Sequence, residues 1–278
     1  MIFEYSADAT LYSATIFYIA GMTAYIIYLF RQNDKMQNTG FYLTVAGAVL
    51  HIISILARSI VVGSIPVHNL HQTLSVSGLA LAWTFILFRK RLDLKILGIF
   101  ATPLLVFIMV STLLIPAEPA EYETILKGFW IACHIVLIFM GEAALALACG
   151  AGILYLLQEK QIKSKRQGFF FRRLPSLDRL DSASYTLVAT GFALLTFGLV
   201  TGFIYAKGVW GKFWSWDPKE IWSMVTWLVY AILLHCRLTV GWQGRKSAIM
   251  TIIGFAVLLF TFIGVNFLIG GHHQGFTK

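Results

Sequence analysis

Five of the chain's eight tryptophans fall between Trp210 and Trp227, in the eighteen-residue string WGKFWSWDPKEIWSMVTW. Each indole offers a broad, flat π-face and one N–H donor. A cluster this dense suits a ligand that is itself broad, flat and apolar. Histidine supplies complementary chemistry, because imidazole nitrogen binds haem iron readily and two imidazoles fill both axial positions. Three of the seven histidines, His134, His235 and His273, stand near the ends of other apolar segments. Brought together, these residues would form a haem-holding surface on a membrane protein.

The elements that must position them are membrane helices. The chain is 58% hydrophobic and 13% charged over 278 residues, with mean hydropathy +0.75. Crossing a bilayer takes about 20 apolar residues per helix. Eight runs reach that length or approach it: Leu11–Phe30, Phe41–Val62, Leu70–Phe88, Leu94–Ile115, Phe129–Leu157, Tyr185–Ile204, Lys219–Cys236 and Ser247–Ile269. The expected fold is therefore all-α and polytopic, one membrane domain over 1–278. The longest hydrophilic stretch, Gln158–Ser184, is too short to bury a core of its own. Its segment GFFFRRL at 168–174 reads as an interfacial turn with Arg172 and Arg173 toward anionic headgroups.

Charge sets the orientation. With the N-terminus outside and loops assigned alternately, the inner loops hold sixteen of the 22 basic residues, seven of them between Lys160 and Arg179. The outer segments hold Lys127, Lys207, Lys212, Lys219 and Lys278, and Arg58 lies near the outer end of the second helix. This is the positive-inside pattern, which puts both termini on the outer, periplasmic side. The net charge of +9 is then the rim of a membrane protein and no argument for a nucleic-acid partner. The first thirty residues carry Glu4 and Asp8 where a signal peptide would be basic, so they read as a retained helix. Cys133, Cys149 and Cys236 have no metal-binding or disulfide spacing and read as small packing residues.

Locally, WSWDPKE is a helix start. Asp217 suits the N-cap, Pro218 the first helical position, and Glu220 stands at the capping-box spacing. Trp210, Trp214 and Trp216 precede that start, and Trp222 and Trp227 follow it. An extended backbone would point Trp214 and Trp216 the same way. The bland alternative is an interfacial aromatic belt, which accounts for two or three tryptophans but not for their link to a capped helix.

The string from Trp210 to His235 resembles the tryptophan-rich "WWD" signature of the cytochrome c assembly proteins. These are haem-handling membrane proteins of bacterial and plastid c-type cytochrome maturation. The resemblance runs from about His51 to the C-terminus. It implies that the outer segment 205–220 forms a haem platform (Trp210, Trp214, Trp216, Asp217 and Trp222) and that two flanking histidines ligate the iron. The matching positions are His134, in GFWIACHIVLIFMGEAAL, and His273, in GVNFLIGGHHQG. It further implies a subunit of a two-component (system II) synthase of the haem-lyase type. Haem b is its cargo, a second membrane subunit with a large outer domain its partner, and the Cys-x-x-Cys-His segment of apocytochrome c the acceptor. The location implied is the inner (cytoplasmic) membrane of a bacterium. Lys207, Lys212 and Lys219 lie near the platform in sequence, where haem propionates would need cations.

Two places depart from the family's pattern. Its Gly-Leu-His-Ser-Tyr-like end reads GGHHQGF here, so His272 is open as the ligand in place of His273. Its Pro-x-x-Asn-x-Tyr-Glu-Ser-Leu turn reads PVHNLHQTL at 66–74, with His71 and Gln72 in place of the tyrosine and the glutamate. His68 and His71 read as solvated loop residues, with auxiliary ligands as the alternative. Within the membrane, His235 matches a family histidine implicated in haem entry from inside, and His51 could join it in an inner haem site. Glu142 reads as a structural partner for Arg58. Two rival functions stay open: a membrane regulator of haem biosynthesis acting on glutamyl-tRNA reductase, and an electron-transfer subunit with permanent haem on His51 and His235.

Overall fold

A computed structural model describes residues 2–92, 95–116, 128–165 and 168–264. The main chain runs α1 (Ile2–Arg31), α2 (Asp34–Val62), α3 (Leu70–Leu92), a 3₁₀ turn at Lys95–Leu97, α4 (Gly98–Leu114), α5 (Phe129–Lys163), α6 (Leu177–Trp210), α7 (Pro218–Thr239) and α8 (Arg245–Leu259). Among the described residues, eight helices are long and apolar enough to cross a membrane, and there is no strand. The protein is an all-helical, multi-pass membrane protein, as the apolar runs indicate.

The helices overrun those apolar runs where polar residues find partners. Asn33 caps α2, its side-chain oxygen accepting from the Lys35 N–H at 2.9 Å, and the helix begins seven residues before Phe41. At the far end of α5, Glu159 accepts from Lys163 at 2.7 Å and from Arg245 at 3.1 Å, which carries the helix past Leu157. The Arg237 guanidinium meets both Asp181 oxygens, at 3.0 and 2.6 Å, and Asp181 also accepts the Gly244 N–H at 2.9 Å. Hence the polar first turns of α6 are tied to α7 and α8.

α5 is the central helix. Every residue from Ala143 to Gly152 is buried, with α3, α6 and α8 around it. Contacts this close need small residues, since helices in lipid associate through packing rather than hydrophobicity. A Cβ on Gly191 would lie 2.7 Å from the Leu145 side chain. Cys149 packs in this stretch as a small apolar residue and is free, as are the half-buried Cys133 and Cys236. α1 and α2 form the other large contact, with α4 against α1.

Three sequence expectations are corrected here. Arg58 pairs with Asp8 of α1, not with Glu142. His68 and His71 are buried, at 6% and 5% exposure, rather than solvated. His71 Nδ1 donates to the Thr112 carbonyl at 2.9 Å and also lies 3.2 Å from the Ile115 carbonyl, tying the start of α3 to the end of α4. Gln72 is the acceptor for the His68 N–H at 3.0 Å, so the turn is held by an amide where the family's pattern has an acid. Finally, the Arg173 guanidinium is engaged within the chain, where the sequence reading directed it to headgroups. Its Nε and Nη2 donate to the Leu29 and Phe30 carbonyls at 2.8 and 3.1 Å, capping the C-terminus of α1, while Arg172 is exposed.

Candidate functional site

The tryptophan-rich segment is a tight reversal between α6 and α7. Gly211, in the left-handed region at φ 71°, ends α6. The capping box at the start of α7 is complete. Asp217 accepts from the Lys219 N–H at 2.9 Å, and Glu220 reaches back to the Asp217 N–H at 3.3 Å. Glu220 also accepts from the Ser215 N–H at 2.8 Å and the Ser215 hydroxyl at 3.0 Å. One carboxylate thereby gathers the loop.

The five tryptophans take different places. Trp216 adopts φ 60°, so the backbone is not extended as the alternation implied. Trp214 and Trp216 meet edge to face instead, with ring centroids 5.8 Å apart and planes at 89°. Trp214 also packs on Phe203 at 5.8 Å, while Trp216 is 75% exposed. Trp222 packs on Phe260 at 4.6 Å. Trp227 lies against Phe192, and its indole N–H donates to Thr196 at 2.9 Å, which ties α7 to α6.

Beside this segment lies a cavity of about 210 Å³ between α5, α6, the start of α7 and the π turn after α8, with Val67 and Thr73 near the start of α3. One face of α5 lines it through Ile131, His134, Ile135, Ile138, Phe139 and Glu142, the three-to-four spacing of a single helix stripe. Trp210 and Lys219 complete its wall, whereas Trp214, Trp216 and Trp222 stand outside its lining. Lys207 lies over the Phe213 ring at 4.3 Å and Lys212 is exposed, so Lys219 is the lysine that faces the cavity.

His134 is held in one orientation. Its Nδ1 lies 2.7 Å from the Gly198 carbonyl. A carbonyl only accepts, so Nδ1 carries the proton and the Nε2 lone pair is left for a metal. A backbone partner of this kind also orients a ligating imidazole. Gly202, one turn along α6, makes room for the ring: a Cβ there would lie 2.7 Å from His134 Nδ1.

The other candidate histidines do not join this cavity among the described residues. His272 and His273 lie outside the described residues. His235 is exposed near the other end of α7. His51 is wholly buried, with Tyr18 Oη 3.3 Å from Nδ1 and Ser75 Oγ 2.9 Å from Nε2. Both its nitrogens are engaged, within α1, α2 and α3. The pairing of His51 with His235, whether as an inner site or for a permanent haem, is not made.

The Glu142 and Lys219 side chains both reach this cavity, a convergence that the sequence does not announce. The available signal was the α5 stripe, which passes from His134 to Glu142. The π turn that follows α8, Phe260–Gly264, adds Thr261 and Phe262 to the lining. Such turns recur at functional sites.

A multi-pass bundle with an imidazole and a tryptophan on one cavity defines a class of membrane protein suited to binding a flat metal-bearing ligand. The sequence identifies which family of that class. Residues 67–273 match the family described as Cytochrome C assembly protein, and the chain belongs to that family, with a role in cytochrome c maturation. It is 30% identical to "Cytochrome c biogenesis protein CcsA" of Guillardia theta, over 98% of this chain and 96% of that one. It is 33% identical to a protein of the same name from Prochlorococcus marinus, over 84% of this chain and 83% of that one. The solved structure "Cytochrome c Heme Lyase CcmF" shares the fold, at TM-score 0.69 and 18% identity; the match covers 99% of this chain and 49% of that one.

Proposed function

We propose that the protein holds haem b at the end of the bundle that carries the tryptophan-rich segment and presents it for covalent attachment to apocytochrome c. His134 supplies one axial ligand and His273 or His272 the other. Trp210 supplies an apolar wall within the cavity, and Trp214 and Trp216 stand at its margin. The acceptor is the Cys-x-x-Cys-His segment, whose two thiols add across the haem vinyl groups. A second membrane subunit with a large outer domain brings that acceptor to the site, as in system II synthases, in the inner membrane of a bacterium. Two imidazoles fill both axial positions, which suits delivery better than oxygen chemistry.

The observation that carries this reading is His134: its tautomer is set by the Gly198 carbonyl and it lines the cavity. The test is haem content and absorption spectrum of protein purified with its partner. His134→Ala is expected to lose most bound haem and to halt cytochrome maturation, and added imidazole to restore part of both by filling the vacant axial position. Undiminished haem and normal cytochrome c in the assembled variant would overturn the assignment. Loss in His272→Ala but not in His273→Ala assigns the second ligand to the first of the two.

A further inference from the structure

The cavity's polar wall carries one further group of residues. Glu142 of α5 and Lys219 of α7 both line it, in a wall that is otherwise mostly apolar or aromatic. They are close enough for their charges to interact, yet no direct ion pair or side-chain hydrogen bond joins them. The remaining carboxylate in the lining, Glu220, is committed to Ser215 and Asp217. An ammonium in apolar surroundings is costly unless compensated, and a carboxylate likewise. Two opposite charges facing one space without closing on each other leave a position between them that a polar group can enter. Ser223 and Thr261 also line the cavity, the Thr261 hydroxyl being committed to Thr226 and to the Trp222 and Val257 carbonyls.

We propose that Lys219 is the anchor for a carboxylate of the bound ligand, and that Glu142 is the charge the ligand displaces. The inference deepens the haem reading and rests on it: the carboxylate is a propionate of the porphyrin. Before cargo binds, Glu142 compensates Lys219. When a propionate takes up Lys219, the two carboxylates compete for one ammonium. Their repulsion limits how tightly the cargo is held, which a delivery protein requires. Glu142 is two helical turns from His134 on the same stripe, roughly 12 Å along the axis, so iron and carboxylate are engaged at different depths of one cavity.

The test compares haem with haem dimethyl ester, which keeps the ring and the iron but has no carboxylates, titrated into detergent-purified wild type and variants. Lys219→Met is expected to weaken haem binding by roughly tenfold or more while leaving the ester unchanged. Lys219→Arg keeps the charge and is expected to retain the preference for haem, which guards against a mere folding defect. Glu142→Gln removes the competitor and is expected to tighten haem binding several-fold and slow its transfer, again with no effect on the ester. Equal losses of haem and ester in Lys219→Met, or no loss of either, overturn the inference; so does weaker haem binding in Glu142→Gln. Should His134→Ala lose haem while Lys219→Met shows no discrimination, the site reading stands and this inference alone fails. Should His134→Ala keep its haem, the site reading itself fails.

Discussion

His134, the proposed axial ligand, is positioned by neighbours on another helix. The Gly198 carbonyl fixes which imidazole nitrogen carries the proton, and Gly202 keeps the space beside the ring open. Gly202→Ala would place a methyl group about as far from Nδ1 as a hydrogen-bond partner, far inside van der Waals contact. The ring must turn, and the 2.7 Å bond to Gly198 is then lost. The expected result is an assembled protein with lowered haem content. Imidazole should restore less than it does in His134→Ala, because the displaced ring still obstructs the site. Wild-type haem content in Gly202→Ala would mean that the ring position is not critical.

At the scale of elements, the start of α7 is where local chemistry decides most. Asp217 and Glu220 between them satisfy the first amides of the helix and the turn before it. Asp217→Ala is expected to lower stability by about 1 kcal/mol. Glu220→Ala should cost more, because three donors lose one acceptor. Thermal unfolding of the two variants in detergent would rank them, and a larger loss for Asp217→Ala would contradict the geometry. This helix start was legible in the sequence because a capping box needs only four consecutive residues. Trp216 was not: its left-handed backbone at φ 60° follows from the closure of the loop by Glu220, not from its own preference. Helix ends were illegible for a related reason. Pairs such as Asp181 with Arg237, or Glu159 with Arg245, lie far apart in the chain and stabilise the helix ends only once the bundle has formed.

For the whole molecule, eight helices were legible because a bilayer demands long apolar runs, and the chain has eight that meet the demand. The cavity was not, since it joins α5, α6, α7 and the π turn after α8, which are brought together by packing and not by any spacing in the sequence. The same holds for the misplaced partner of Glu142: proximity across helices has no one-dimensional sign. Charge supplies an expectation for the side of the membrane on which the cavity opens. Exposed Lys212 belongs to the tryptophan-rich end, and exposed Arg172 to the connection between α5 and α6, which carries the densest basic run. By the positive-inside pattern, Lys212 is expected outside and Arg172 inside. With Cys133, Cys149 and Cys236 replaced by serine or alanine, a single cysteine at 212 is expected to react with a membrane-impermeant maleimide on intact cells. A cysteine at 172 is expected to react only after the membrane is opened. The reverse result would turn the cavity toward the cytoplasm and contradict both the orientation read from charge and the proposed delivery of haem to apocytochrome c.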